Sequence, residues 1–125
     1  MFIGQHHQDM ITSIYNFIIE RCPSIDMQLL ANQKSLNIKV NDANKEQYSE
    51  INLLYETLIL KYNQNRALVP IIIDYARFLC FEQGNSVEAT SILKEKLKIS
   101  YPITSVAQIK LALGDILVYQ ERFDE

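Results

Sequence analysis

Residues 107–125 read AQIKLALGDILVYQERFDE, and this stretch decides the reading of the whole chain. Its apolar residues recur three and four apart, the spacing of a helix with one buried face. The helix carries the pair Leu113-Gly114, is expected to run to Gln120, and is expected to break at Glu121-Arg122. Phe123-Asp124-Glu125 then reads as an aromatic and acidic opening of a second helix, whose remainder would lie beyond Glu125. The expectation is a piece of a longer helical protein.

Working outward, composition supports helices throughout. The chain has 125 residues, 48% hydrophobic and 22% charged, enough to bury a real core. Three glycines and three prolines are too few for a sheet-rich protein that turns every few residues. A net charge of -3 with scattered lysines and arginines gives no surface for phosphates, so no nucleic-acid partner is expected. Cys22 and Cys80 lie far apart in apolar helical patterns and read as buried, reduced thiols rather than metal ligands or a disulfide. No apolar run reaches the roughly 18 residues of a membrane span, and the first residues lack the form of a signal peptide. The compartment stays open.

Sliding the sequence against itself exposes a repeat. Residues 14–23 (IYNFIIERCP) align with 54–63 (LYETLILKYN) at an offset of 40, and with 93–102 (LKEKLKISYP) after a further 39. Pro23 and Pro102 fall at the same place, where a proline ends one helix and presets the next. Between the copies lie further helical stretches: 24–43, with Leu29, Leu30, Leu36, Val40 and Ala43 on one face, 67–83, and the terminal helix from about Ser105. Within the first, residues 36–40 also alternate like a strand, but Met27, Gln28, Ala31 and Lys34 favour helix. Residues 67–83 are apolar nearly all round, with Pro70 in the first turn and Gly84 ending the helix. Asn44-x-x-Gln47, Asn85-x-x-Glu88 and Ser105-x-x-Gln108 have capping-box form, with a start two residues earlier as the alternative for the last helix. Loops of about two to six residues make consecutive helices antiparallel neighbours. The fold expected is all-α, with about six helices.

The spacing of small and bulky residues resembles the tetratricopeptide repeat family. That family places a bulky-small pair midway along a first helix, and a small residue with a large one four later on the second. A proline comes near the end. Leu113-Gly114 and Phe123 match the last unit; Tyr75-Ala76, Ala89, Leu93 and Pro102 match the one before. The units are long, with 38 residues between the two bulky-small pairs against about 34. Ala89 stands thirteen after Ala76, with an extra residue around Gly84, while Ile51 and Lys39 depart from the small positions of the earlier unit. It also looks like the repeats of large bacterial tetratricopeptide proteins. The resemblance implies one domain of stacked antiparallel helix pairs forming a superhelix, with units near 1–23, 24–63, 64–102 and 103–125. It also implies small residues that let the helices approach closely.

No catalytic constellation, cofactor loop or metal site is expected. His6-His7 are adjacent and so point about 100° apart on a helix, and Asp9 alone does not complete a site. Asp115 is a single carboxylate without an acid-base partner. What the resemblance implies instead is a groove lined by first helices: Ile73, Arg77, Cys80 and Phe81 in one unit, Leu111, Asp115, Val118 and Tyr119 in the next. There Arg77 and Asp115 would read the charge of a protein or peptide partner, and Phe81 and Tyr119 would offer flat apolar contact. The competing expectation is that the aromatics pack between helices and Arg77 pairs with a nearby acid. The implied function is a protein–protein interaction scaffold; the alternative is a regulatory or sensory ligand-binding module of a larger protein. Ile109, Leu113, Ile116 and Leu117 are expected to lack a partner within the chain, which leaves self-association through the end helices open.

Overall fold

In the computed structural model the backbone is described for residues 4–123 and side chains for residues 9–122. Every regular element among them is helical. Six α-helices follow one another: α1 (Gly4–Arg21), α2 (Ile25–Asp42), α3 (Tyr48–Lys61), α4 (Val69–Arg77), α5 (Ser86–Lys96) and α6 (Ile103–Phe123). Connections of two to six residues join them, counting the short 3-10 turns with the helices they lead into and the π turn after Arg77 with α4. The chain divides into two compact units, Met1–Ile51 and Asn52–Glu125, with the division inside α3.

In the first unit α1 packs against α2, and the three-residue link between them forces the pair to run antiparallel. The link is held at both ends. Ser24 Oγ accepts from Met27 N at 3.3 Å as the N-cap of α2, and the Gln28 side-chain amide donates to the Cys22 carbonyl, one of the orphan groups ending α1. Residues 36–40 are helical, so the strand-like alternation there has no structural counterpart. Leu29 and Leu36 are buried on one face of α2 and Ala31 is buried on another; Leu30, 100° round from Leu29, is exposed instead of sharing its face. Asn44 N donates to Gln47 Oε1 at 3.0 Å, which starts the 3-10 turn leading into α3. Cys22 is only half-buried, whereas Cys80 of the second unit is sealed in the core.

The second unit is organised around α4. Leu68, Val69, Ile71, Ile72, Tyr75 and Ala76 are buried, while Pro70 in its first turn faces water. Asn65 Oδ1 accepts from Ala67 N at 2.9 Å and opens the 3-10 turn before it. Helix α4 touches both α5 and α6, and α5 touches α6. Tyr55 of α3 stacks on Tyr75 with ring centroids 4.9 Å apart, and the Tyr75 hydroxyl donates to Glu56 Oε1 at 2.9 Å. Asn52 and Gln83 exchange two side-chain hydrogen bonds, at 2.8 and 2.9 Å.

Helix α4 does not end as a plain α-helix. Phe78–Glu82 widens into a π-helical turn, with Gln83 N donating to Phe78 O five residues back and Asn85 N to Leu79 O six back. Gly84 at φ +68 closes this wide turn, a left-handed conformation that a side chain would strain. Asn85 then caps α5, its Oδ1 accepting from Glu88 N at 3.2 Å. Beyond α5, Tyr101 Oη donates to the Asn63 carbonyl at 2.9 Å and Lys96 Nζ donates to Asn63 Oδ1, so the α5–α6 link is pinned to the α3–α4 link.

Two expectations about the terminal stretch are corrected. Helix α6 continues to Phe123 with no break at Glu121-Arg122, because Gln120, Glu121 and Arg122 are good helix formers. Ile109 and Ile116, expected to need an outside partner, are already 0% exposed on the side that α4 and α5 cover. Leu113 is half-buried and only Leu117 of that set is exposed. The second helix expected from Phe123-Asp124-Glu125 lies outside the described residues.

Candidate interaction site

Each of the four residues singled out for partner contact sits where its helix turns toward its neighbour. Arg77 ends α4 and Phe81 lies in the π turn, four residues on; Asp115 and Tyr119 are four apart on α6. A four-residue step keeps both members on one face of a helix. The two faces meet. Arg77 Nη2 reaches Asp115 Oδ2 at 3.2 Å, with both side chains near half exposure (43% and 50%). One turn along, Phe81 and Tyr119 contact edge to face, ring centroids 4.9 Å apart and planes at 82°.

The structure therefore joins all four in one seam along α4 and α6, as two matched pairs in the same order. The pairing is also the competing expectation, in which Arg77 finds a nearby acid and the aromatics pack between helices. The pairs are bonded to each other and still partly open to water. Phe81 keeps 39% of its surface exposed. Of the other residues expected on this groove, Ile73 is half-buried and Leu111 and Val118 are exposed. Cys80 is not on it: at 0% exposure it belongs to the core, where burial pushes its thiol above the ordinary range and keeps it protonated.

Gly114 corrects a physical argument. A glycine at the small position of α6 was expected to permit close helix approach, yet a Cβ built there meets nothing within 4 Å. At the matching position on α4, Ala76 is fully buried, and Ala89 on the adjoining α5 is too. Close packing of small residues therefore belongs to the α4–α5 contact.

A second recess was not anticipated. Glu56 and Ile59 of α3, Tyr75 of α4, and Glu88, Ile92, Glu95 and Lys96 of α5 line a cleft of about 280 Å³. Burial, then the hydrogen bond to Glu56 and the charges of Glu56 and Glu88, push the Tyr75 hydroxyl far above its ordinary value. Burial lowers the Lys96 ammonium, with Glu95 opposing. Tyr75 and Lys96 both have a protein partner, so the cleft reads as a satisfied polar wall of the core. The sequence signal for it was weak, since a tyrosine and a lysine at helical spacing look like any amphipathic face.

Among the described residues no group of three or more His, Cys, Asp or Glu is placed to hold a metal ion. The side chains of His6 and His7 lie outside those described. No helix among the described residues is long and apolar enough to cross a membrane. Comparison with models of protein families, with curated proteins and with solved structures found no match to this chain.

Proposed function

We propose that the chain is an interaction scaffold built of tetratricopeptide-like helix pairs, and that the seam along α4 and α6 receives a peptide segment of a partner protein. The observation that carries the proposal is the doubled contact along that seam, an exposed ion pair and a partly exposed aromatic pair in register on two neighbouring helices. Support for stacked helix pairs comes from the second unit, where α5 touches both α4 and α6 while α4 and α6 also touch. The π turn supports the long unit as well: it lodges one extra residue between Ala76 and Ala89 without disturbing the burial of either.

The chemistry suits a peptide. An ion pair open to water is worth little, about 0 to 1 kcal/mol, so a ligand's charged group can displace one partner and take the other at small cost. Phe81 and Tyr119 present ring edges and faces that hold apolar side chains with little rotamer entropy to lose. Selection of peptides from a displayed random library against the whole chain tests this. Arg77→Glu and Tyr119→Ala should each weaken the selected peptides about tenfold or more, equivalent to roughly 1.4 kcal/mol. Peptides that bind both variants as well as the parent chain would remove this seam from consideration.

A further inference from the structure

Helix α6 has a second, outward face beside the seam, and the exposed Leu111 and Val118 border both. At about 100° per residue, Ile103, Ala107 and Gly114 fall along its centre, Leu111, Val118 and, farthest round, Arg122 on one side of it, and Lys110 and Glu121 on the other. All eight are exposed, Ile103 to 81% and Leu111 to 67%. The space above Gly114 is open, so another backbone can come close there. The corresponding α4 residues, 38 positions earlier, are Val69, Ala76 and Cys80 for Ala107, Gly114 and Val118. Those three are fully buried within the second unit.

This face is also close to palindromic. Leu111 and Val118 are equidistant from a point between Gly114 and Asp115, and so are Ala107 and Arg122; Lys110 and Glu121 straddle the next position. Two antiparallel helices related by a two-fold axis bring residues on the same side together, so each self-complementary pair is made twice. Leu111 of one copy then meets Val118 of the other on one flank, and Lys110 meets Glu121 on the other. Gly114 lies opposite Gly114 near the axis, and the Arg122 stem lies over Ala107. We infer that the outward face of α6 binds a second copy of this chain, antiparallel, with the two-fold axis beside Gly114. The occupant is argued from charge: one flank of the face carries both a cation and an anion, and an inverted copy of the same face pairs them twice.

One helix face per copy is a small interface, so the dimer should be weak, with a dissociation constant of about 10 µM to 1 mM. Sedimentation equilibrium of the whole chain should show the 14.5 kDa species giving way to one of twice that mass as concentration rises. Leu111→Asp should abolish the larger species, and Lys110→Glu or Glu121→Lys alone should each weaken it about tenfold by placing like charges together twice. The double exchange Lys110→Glu with Glu121→Lys should restore it to within about twofold, a rescue that unspecific apolar association does not give. Helical circular dichroism checks that each exposed variant stays folded. A chain that remains monomeric to about 1 mM would overturn the inference and hand the face to a different partner. Failure of the double exchange to rescue would overturn the antiparallel arrangement.

Discussion

On α4 and its π turn, Val69, Ile72, Ala76, Leu79 and Cys80 are all sealed from water, whereas the residues 38 positions later on α6 are all exposed. Those are Ala107, Lys110, Gly114, Leu117 and Val118. Apart from Ile72 and Lys110, the pairs are alike in polarity, so sequence alone gives the two helices much the same faces. Position in the chain separates them. Among the described residues, α5 and α6 both pack on α4, while α4 and α5 pack on the inner side of α6. An apolar residue in a helical array is thus buried or bare according to which neighbours are present, and its own helix does not say which.

The hardest test of this contrast uses one residue type at both places. Leu79 is 2% exposed and Leu117, its counterpart, 44%. Leu79→Ala removes packed methyl groups from the core and should cost about 2–5 kcal/mol in urea unfolding. Leu117→Ala should cost less than about 1 kcal/mol. Equal losses would mean that α6 is as enclosed as α4, and the comparison would fail.

Alkaline titration probes the enclosed side. Burial, followed by the charge of Asp74, raises the Tyr55 hydroxyl well above its ordinary 10.0, and Tyr75 is raised as well. The folded chain holds these protons to higher pH than the unfolded chain, so stability is intact below pH 10 and falls as pH climbs above it. Lys96 acts the other way, since its lowered value favours the fold as pH approaches 10.5 from below; beyond 10.5 it adds no slope. The urea midpoint should therefore drop steeply above pH 10.5, and Tyr75→Phe should make the drop shallower. A flat midpoint from pH 10 to 12 would show that neither hydroxyl is held as described.

Glycine placement sharpens the exposed side. Gly114→Ala adds a methyl group where nothing stands within 4 Å, in the interior of a long helix. It should stabilise the chain by about 0.5–1 kcal/mol, read by thermal melting at low concentration. Gly84→Ala also meets no neighbour, but φ +68 strains it, and it should destabilise by about 1 kcal/mol. Destabilisation by Gly114→Ala at low concentration would mean that its open space is occupied.

Much of this was legible before any coordinates. Asn44 and Asn85 sit at helix starts where capping side chains work locally, and Gly84 ends the turn that suits it, so three boundaries follow from near neighbours in sequence. The π turn was less accessible: thirteen residues separate Ala76 from Ala89, which flags an extra residue without saying that a widened turn absorbs it. The end of α6 was misjudged for a related reason, because Glu121-Arg122 was read from the expected turn instead of from helix propensity. Hardest to foresee were the partners. Arg77 and Asp115 are 38 residues apart, and only the contact between α4 and α6 brings one to the other.

The smallest expected effect lies on that contact, the one place where the covered and uncovered helices share a surface. Arg77→Ala, Asp115→Ala and the double variant form a cycle whose coupling should be about 0.2–1 kcal/mol, as for other water-exposed ion pairs, and should shrink in 1 M salt. The same cycle through Phe81→Ala and Tyr119→Ala should give about 0.5–1.5 kcal/mol with almost no salt dependence, since edge-to-face contact involves no net charge. The two cycles separate the roles of the seam. If it exists mainly to hold α4 against α6, both couplings should match the upper ends of these ranges, and peptides selected against the chain should not reduce them. If it is a receiving surface, the ion-pair coupling should fall toward zero when a selected peptide is bound, because the ligand's own charge replaces one partner, while the unfolding midpoint rises with peptide concentration.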